Sequence, residues 1–327
     1  RSTLFPYTTL FRSLPTANTI RTICDAHLKF GTTSLLPTLI TANRSQTNAA
    51  IRAAKDALAQ GVAGTIGLHL EGPHLSVARN GAHDPALIRK METTDCENLC
   101  GIADDLPSLM ITVAPESVTN EQIAQLNHAG VIISLGHTNV DYNTINSAVK
   151  SGAISVTHRF NAMSQLENRA PGLVGATLDS DVLFAGLIAD GIHVDPAVIR
   201  IALRAKQGAG QIFLVTDSMS TIGTDITEFA LNERKIFRRD GRLMLSDGTL
   251  AGADLTMISA VQFMINEIHI DIDEALRMAS LYPAQLLNRE KEIGSLVLGA
   301  QADFIHLDNR CQIMSVWRGE NCVVGAD

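Results

Sequence analysis

The segment LHLEGPH (residues 68–74) decides the fold. It begins as an apolar, β-prone run, reaches the carboxylate of Glu71, and stops at Gly72-Pro73, a pair that ends a strand. Three later segments also begin with apolar, β-prone residues and then reach a residue able to bind a metal or move a proton: LGHT (135–138), VTHRFNA (156–162) and LVTDS (214–218). Active sites of parallel α/β barrels lie at the carboxyl ends of the strands. We therefore expect four side chains to meet there: Glu71, His137, His158 and Asp217.

Strand-like and helix-like segments alternate between residues 35 and 217. The apolar runs are nearly continuous, which is typical of strands covered on both faces, and amphipathic stretches separate them. This alternation predicts an α/β fold of the (β/α)8 TIM-type barrel class. Only seven strands can be identified, beginning with residues 35–41, so we expect the first barrel strand to be missing. Residues 1–13 (RSTLFPYTTLFRS) show neither alternation nor a helical face, and we expect an unstructured leader there.

The composition suits one large barrel with a small accessory lobe. The chain has 327 residues, of which 46% are hydrophobic, and a net charge of -8. No basic cluster suggests nucleic-acid binding, no apolar run suggests a membrane span, and no signal pattern is visible. The five cysteines are irregularly spaced and do not suggest a disulfide framework. We expect a cytoplasmic protein that has neither nucleic acid nor a membrane as a partner.

The pattern changes after Asp217. Short strands are expected within residues 229–245, helices at about 255–268 and 272–280, and final strands at 302–308 and 311–324. The final strands need partners that a barrel does not offer, so they predict part of an accessory β-sandwich.

The predicted strand ends suggest a metal-dependent hydrolase. One carboxylate and two imidazoles make a three-ligand metal site that leaves a position for water, and Asp217 could act as the base for that water. His137 and His158 are 21 positions apart, about one β-α-β step, which places them on neighbouring strands. Alone, each could instead be a satisfied core histidine, and Glu71 a salt-bridged strand end. His69 is expected one layer deeper, as a core or outer-shell residue.

Loop residues supply further candidates. His83, in NGAHDP, lies near Glu71 in sequence and is either functional or a solvated loop histidine. Asn161, Arg169 and His193 follow strands where barrels commonly bind phosphate, and Arg169 is either an anion clamp or a surface ion-pair partner. DGTLAG (residues 247–252) reads as a glycine loop before a helix whose backbone donors could hold a polar substrate.

Taken together, the motifs resemble a known family. They occur in one order: GTTSLLPTLIT, LHLEGPHL, NGAHDP, TVAPE, LGHT, THRFNAM, RAPGLVGA, ADGIHVDP, LVTDSM, GTLAGADLTM and LYPA. From about Thr19 to the C-terminus the chain is similar to the N-acetylglucosamine-6-phosphate deacetylase family of the amidohydrolase superfamily. The resemblance implies amide hydrolysis of N-acetylglucosamine 6-phosphate to glucosamine 6-phosphate and acetate.

The resemblance also implies residue roles. Glu71, His137 and His158 would hold one divalent metal ion, with zinc expected first and iron, manganese or cobalt as alternatives. Asp217 would be the general acid and base, and His83 would polarise the acetyl carbonyl or bind the sugar. Arg169 would bind the phosphate, often across a dimer interface, which implies a homodimer. The remaining substrate contacts would be Ala82, Asn161, Ala162, Asp190, Gly191, Ile192, His193, Leu250, Ala251 and Gly252.

The departures from the family concern the beginning of the chain. Neither the N-terminal sandwich strands nor the aspartate-containing first barrel strand is found, so a second metal is not assigned. We expect a leader outside the family at 1–13, the barrel at 14–297 and sandwich strands at 298–327, and a chain that is poorly soluble and nearly inactive as given. The alternatives are a deacetylase of N-acetylgalactosamine 6-phosphate or another acylated amine, and a truncated, inactive homologue.

Overall fold

A computed structural model describes residues 15–231 and 234–325. The leader predicted at residues 1–13 lies outside the described residues. The helices are α1 Ala17–Leu28, α2 Arg44–Ala59, α3 Thr93–Ile102, α4 Asn120–His128, α5 Tyr142–Lys150, α6 Gly172–Asp179, α7 Pro196–Ala205, α8 Met257–Phe263, α9 Ile272–Ala279 and α10 Leu281–Leu286. The strands are β1 Thr38–Ile40, β2 Leu68–Glu71, β3 Leu109–Val113, β4 Ile132–Leu135, β5 Ala153–Val156, β6 Phe184–Leu187, β7 Ile212–Leu214, β8 Glu228–Leu231, β9 Arg234–Arg239, β10 Arg242–Leu245, β11 Leu250–Ala253, β12 Phe304–Leu307, β13 Ile313–Arg318 and β14 Asn321–Gly325.

Strands β1 to β7 form one parallel sheet in sequence order. It curls into an open barrel, and β1 and β7 are its two edges among the described residues. The register pairs Ile40 with Glu71, Glu71 with Thr112, and Leu135 with Val156, so the carboxyl ends of neighbouring strands lie level. The predicted parallel α/β barrel with seven identifiable strands is confirmed.

Helices cover the outer face of this sheet. Helix α2 is capped by Asn43, whose side chain accepts a hydrogen bond from the backbone of Gln46, while the Gln46 side chain accepts one from the Asn43 backbone. Its buried face includes Ala50 and Ala54, and these small residues let the helix lie close to the strands. Outer helices and inner strands share one core, which holds the strand ends in fixed positions.

A four-stranded antiparallel sheet, in the order β11-β10-β9-β8, follows the barrel strands. Its apolar face packs with Ile40 and Ala82 and so covers the carboxyl end of the barrel beside β1. The prediction that residues 247–252 form a glycine loop is wrong for Leu250, Ala251 and Gly252, which lie on β11. These residues form a strand because β11 pairs with β10, with Met244 opposite Leu250. This contact between separate parts of the chain leaves no local sequence signal.

The C-terminal strands β12 to β14 form a separate antiparallel sheet, as predicted for the last two segments. Arg318 Nη2 donates a hydrogen bond of 2.9 Å to the Thr33 carbonyl and ties this sheet to the loop after α1. None of the helices formed by residues 15–231 and 234–325 is both long and apolar enough to cross a membrane.

Candidate metal centre

Three ligand-type atoms converge at the carboxyl end of the barrel. Glu71 Oε1 lies 3.1 Å from His137 Nε2 and 2.9 Å from His158 Nε2, and the two Nε2 atoms are 3.0 Å apart. All three residues are buried, with 4 to 6% of their surface exposed. The structure thus brings together the three residues that the sequence predicted as metal ligands.

The backbone aims both imidazoles into this centre. His137 and His158 follow β4 and β5 and have φ angles of 48° and 29°, in the left-handed region that residues other than glycine rarely adopt. His137 Nδ1 lies 2.8 Å from the Arg79 carbonyl oxygen, which can only accept a hydrogen bond. Nδ1 therefore carries the proton, and the lone pair of Nε2 faces Glu71 and His158.

The cluster is held together electrostatically. Burial by itself would raise the pKa of Glu71, but close contacts with the His137 and His158 imidazoles and the charge of His158 outweigh it and hold this pKa well below its usual range. Burial would lower the pKa of His158, but the hydrogen bond and charge of Glu71 raise it to about 9. Without a metal ion, a proton on His158 therefore balances the charge of Glu71 at neutral pH.

These residues fit a divalent metal ion. Ligand atoms that share a tetrahedral zinc ion at about 2.0–2.1 Å lie about 3.3 Å from one another, close to the separations of 2.9 to 3.1 Å found here. Acceptor atoms at such distances repel each other unless a proton or a cation lies between them. One carboxylate and two imidazoles are also a ligand set that zinc prefers.

His83 lies beside the three ligands. Its Nε2 is 3.9 Å from Glu71 Oε1, and its ring centroid is 4.4 Å from that of His137. Glu71, His83 and His137 each offer a ligand atom within 4.8 Å of the other two. His83 Nδ1 is 2.7 Å from the hydroxyl of Thr41, at the end of β1, and this contact orients the ring. His83 is therefore a buried residue of the centre and not a solvated loop histidine.

Asp217 lies three residues beyond β7 and lines one cleft together with Glu71. Burial and the nearby charge of Glu71 raise the pKa of Asp217 to about 6. Its φ of 47° is again left-handed. A buried carboxylate with a pKa near neutrality can both accept and return a proton, which suits a general acid and base.

Two predicted substrate residues, Asn161 and Ala162, lie in the turn that follows His158. Asn161 Nδ2 donates to the carbonyl oxygens of His158 and Arg159, each at 3.4 Å. Ala162 has a φ of 49° and lies against Gly81 of the His83 loop. Ala82, in that loop, accepts a hydrogen bond from the Arg234 guanidinium on β9. The structure therefore gathers these residues around the predicted ligands.

The predicted substrate residues of the 190–193 segment and of β11 lie on the Asp217 side. Asp190 Oδ2 is 2.6 Å from His193 Nδ1, and Asp190 Oδ1 accepts the backbone N–H groups of Ile192 and His193 at 2.8 Å. The intervening Gly191 has a φ of 71° and packs against the Phe263 ring, where a larger residue would not fit. On β11, Ala253 N donates to the Asp217 carbonyl at 2.8 Å, which brings Leu250, Ala251 and Gly252 beside Asp217.

Arg169 lies apart from the other predicted substrate residues. It is exposed in the loop before α6, and no ion pair involving it is found within the described ranges. It is thus neither buried in the centre nor held by a surface carboxylate of residues 15–231 and 234–325.

Some residues of the site had no sequence signal. Thr41 and the Arg79 carbonyl oxygen orient His83 and His137 through the folded chain alone. Arg159 is buried, with its guanidinium carbon 4.5 Å from the centroid of the Phe160 ring. Its nitrogens have no hydrogen-bond partner among the described residues. Its position next to His158 gave no hint of this burial.

Sequence comparisons identify similar proteins. The amidohydrolase family model matches residues 16–324. N-acetylgalactosamine-6-phosphate deacetylase of Shewanella sp. (strain ANA-3) is 43% identical over 308 residues, which cover 94% of this chain and 77% of that protein. N-acetylglucosamine-6-phosphate deacetylase of Homo sapiens is 37% identical over 313 residues, which cover 92% of this chain and 75% of that protein.

Solved structures of proteins with the deacetylase name are also similar to this chain. The crystal structure of N-acetylglucosamine-6-phosphate deacetylase from Pasteurella multocida has a TM-score of 0.90 at 36% identity, covering 94% of this chain and 80% of the other. The Mycobacterium smegmatis enzyme, solved as a mutant in complex with N-acetyl-D-glucosamine 6-phosphate, has a TM-score of 0.85 at 30% identity, with coverages of 94% and 80%.

Proposed function

The chain belongs to the amidohydrolase family, and we propose that it hydrolyses the N-acetyl group of N-acetylglucosamine 6-phosphate, releasing glucosamine 6-phosphate and acetate. The observation that carries this proposal is the convergence of Glu71, His137 and His158 beside a cleft that also contains Asp217. Similar proteins that carry the deacetylase name support the choice of reaction.

Each residue of the centre has a proposed task. Glu71, His137 and His158 would hold one divalent ion, proposed to be zinc, which when bound supplies Lewis-acid polarisation and a more acidic water. Asp217 takes a proton from the attacking water and returns it to the leaving amine, as its raised pKa permits. His83 presents its Nε2 edge to the centre and contacts the acetyl carbonyl oxygen.

The sugar isomer has two candidates. Relatives named for the N-acetylglucosamine derivative support the first, whereas the relative at 43% identity is named for the N-acetylgalactosamine derivative. The two substrates differ only at one ring hydroxyl, so the same catalytic groups serve both.

A substrate panel tests the proposal. Acetate release is measured from both 6-phosphorylated N-acetylhexosamines and from their unphosphorylated forms. We expect the N-acetylglucosamine derivative to give the highest kcat/KM. A higher value for the galactose isomer would establish the second candidate, and no acetate from any of the four compounds would contradict the proposed reaction.

Arg169 is proposed to bind the substrate phosphate. Its exposure on the loop before α6 suits a role in the site of a second subunit, so we also propose a homodimer. A guanidinium can form two parallel hydrogen bonds to a phosphate, which an ammonium cannot match.

Arg169→Ala should therefore lower kcat/KM for the phosphorylated sugar about 10- to 100-fold or more, since charge-assisted hydrogen bonds contribute about 1.5–3 kcal/mol each. The value for unphosphorylated N-acetylglucosamine should change little. Arg204→Ala, at an exposed position of α7, is the matched control. Equal losses on both sugars would show that Arg169 does not recognise the phosphate.

A further inference from the structure

A chain of hydrogen bonds crosses the interior of the barrel just below the proposed ligands. Ser134 Oγ lies 2.7 Å from Thr157 Oγ1, and that atom is 2.6 Å from Thr112 Oγ1. Thr112 Oγ1 is 2.8 Å from His69 Nε2, and His69 Nδ1 is 3.1 Å from Thr38 Oγ1. Barrel interiors are normally filled with branched apolar side chains, so a polar layer at this depth requires a reason.

All hydrogen bonds in this series donate in the same direction, from Ser134 towards Thr38. Thr38 Oγ1 donates its only proton to the Leu36 carbonyl oxygen at 3.3 Å, so His69 Nδ1 must be the donor to Thr38. In a neutral ring Nε2 is then an acceptor and receives the proton of Thr112. Because each hydroxyl group has only one proton, Thr157 must be the donor to Thr112, and Ser134 the donor to Thr157. The hydroxyl groups of Thr157, Thr112 and Thr38 each accept from one neighbour and donate to the next, so removing one of them leaves both of its neighbours without a partner.

The hydrogen-bond chain includes a residue from every segment that carries a proposed ligand. His69 is two residues before Glu71, Thr157 is one before His158, and Ser134 is three before His137. The bond between Thr112 and Thr157 joins β3 to the end of β5 and so bypasses β4, which lies between them in the sheet.

The two threonines also support the turn that holds His137. A side-chain carbon on Gly136 would meet Thr112 Cγ2 at 2.9 Å and Thr157 Cβ at 3.1 Å, closer than ordinary contact. The backbone before His137 thus rests directly on this pair. A change in the separation of the two threonines would move that turn.

We propose that Thr112 is a positioning residue whose hydroxyl, as the central link between Thr157 and His69, sets the spacing of Glu71, His137 and His158 for a divalent ion. This inference rests on the proposed metal centre and adds residues that neither bind the ion nor contact substrate. Outer hydrogen bonds of this kind commonly change metal affinity by about 10- to 100-fold.

Thr112→Val tests the inference because valine keeps the methyl group against Gly136 and removes only the hydroxyl. The zinc dissociation constant is measured by competition with a chromogenic chelator, together with the melting temperature of the ion-free protein. We expect zinc to bind about 10- to 100-fold more weakly. Thr112→Ser, which restores the hydroxyl, should return the affinity to within a few-fold of the unsubstituted protein.

Thr177→Val is the matched control. Thr177 is fully buried on α6, and its hydroxyl donates to the Leu173 carbonyl, away from the metal centre. It removes one buried hydroxyl and should lower the melting temperature but leave zinc affinity unchanged. Unaltered zinc binding by Thr112→Val, or an equal loss in Thr177→Val, would overturn the inference.

A second variant covers the case in which Thr112→Val does not fold. Thr38→Val removes the acceptor of His69 at the far end of the chain, and we expect it to weaken zinc binding in the same direction by a smaller factor. Unchanged affinity in Thr38→Val would then decide against the inference. Zinc binding is measured without substrate, so a protein that binds zinc but releases no acetate contradicts only the proposed reaction.

Discussion

Asp217→Asn is expected to lower kcat by at least about 100-fold, the usual contribution of a positioned general acid or base. The amide has nearly the shape of the carboxylate, so the cleft shared with Glu71 should keep its form. It cannot accept a proton from water, and the leaving amine then lacks its proton donor. Substrate binding should survive, because it depends on groups other than this carboxylate.

Three measurements distinguish a specific loss of kcat from misfolding or from weaker binding of metal or substrate. Bound metal and melting temperature should stay close to those of the unsubstituted protein, and the substrate dissociation constant should change only a few-fold. Asp104→Asn, which removes an exposed carboxylate after α3, should keep full turnover. Near-normal kcat in Asp217→Asn would remove this residue from the catalytic mechanism.

Metal removal is expected to have the second large effect. Dialysis against a strong chelator should abolish acetate release, and stoichiometric zinc should restore it. The reason is that Glu71, His137 and His158 converge at 2.9 to 3.1 Å and supply a charge arrangement suited to one divalent ion. Turnover that persists in protein shown by elemental analysis to be metal-free would contradict the proposed centre.

The same experiment has a predicted pH dependence. In the ion-free protein the pKa of His158 is about 9, so near neutral pH zinc must displace a proton from this imidazole. Below pH 9 the apparent affinity should fall about tenfold for each unit of pH, and zinc binding near pH 7 should release about one proton. Glu71 adds nothing to this dependence near neutrality, because its pKa is held far lower. Zinc affinity that is constant between pH 6 and 8 would contradict the prediction.

The sequence predicted those parts of the structure that depend on local pattern. Apolar runs ending in Glu71, His137 or His158 specify both a buried strand and the position of a functional side chain, because the carboxyl ends of parallel strands meet. The convergence of the three proposed ligands, with Asp217 beside them, could therefore be inferred without coordinates.

Features that depend on distant contacts could not be predicted. Leu250–Ala253 forms a strand only because β10 lies beside it, and its two small residues and glycine have little strand preference of their own. The hydrogen-bond chain through Thr112 joins residues far apart in sequence, and its threonines and serine each read alone as ordinary strand residues. The exposed position of Arg169 likewise depends on how its loop leaves the barrel.

The left-handed backbone at the functional residues has a consequence for how this protein can change by mutation. His137, His158 and Asp217 each have positive φ angles, an arrangement that costs about 1–3 kcal/mol per residue when the side chain is not glycine. Glycine at any of these positions would relax the backbone and abolish the chemistry. The protein is therefore less stable than it could be at the residues proposed to act in turnover, and lineages released from selection for activity could become more stable by losing them.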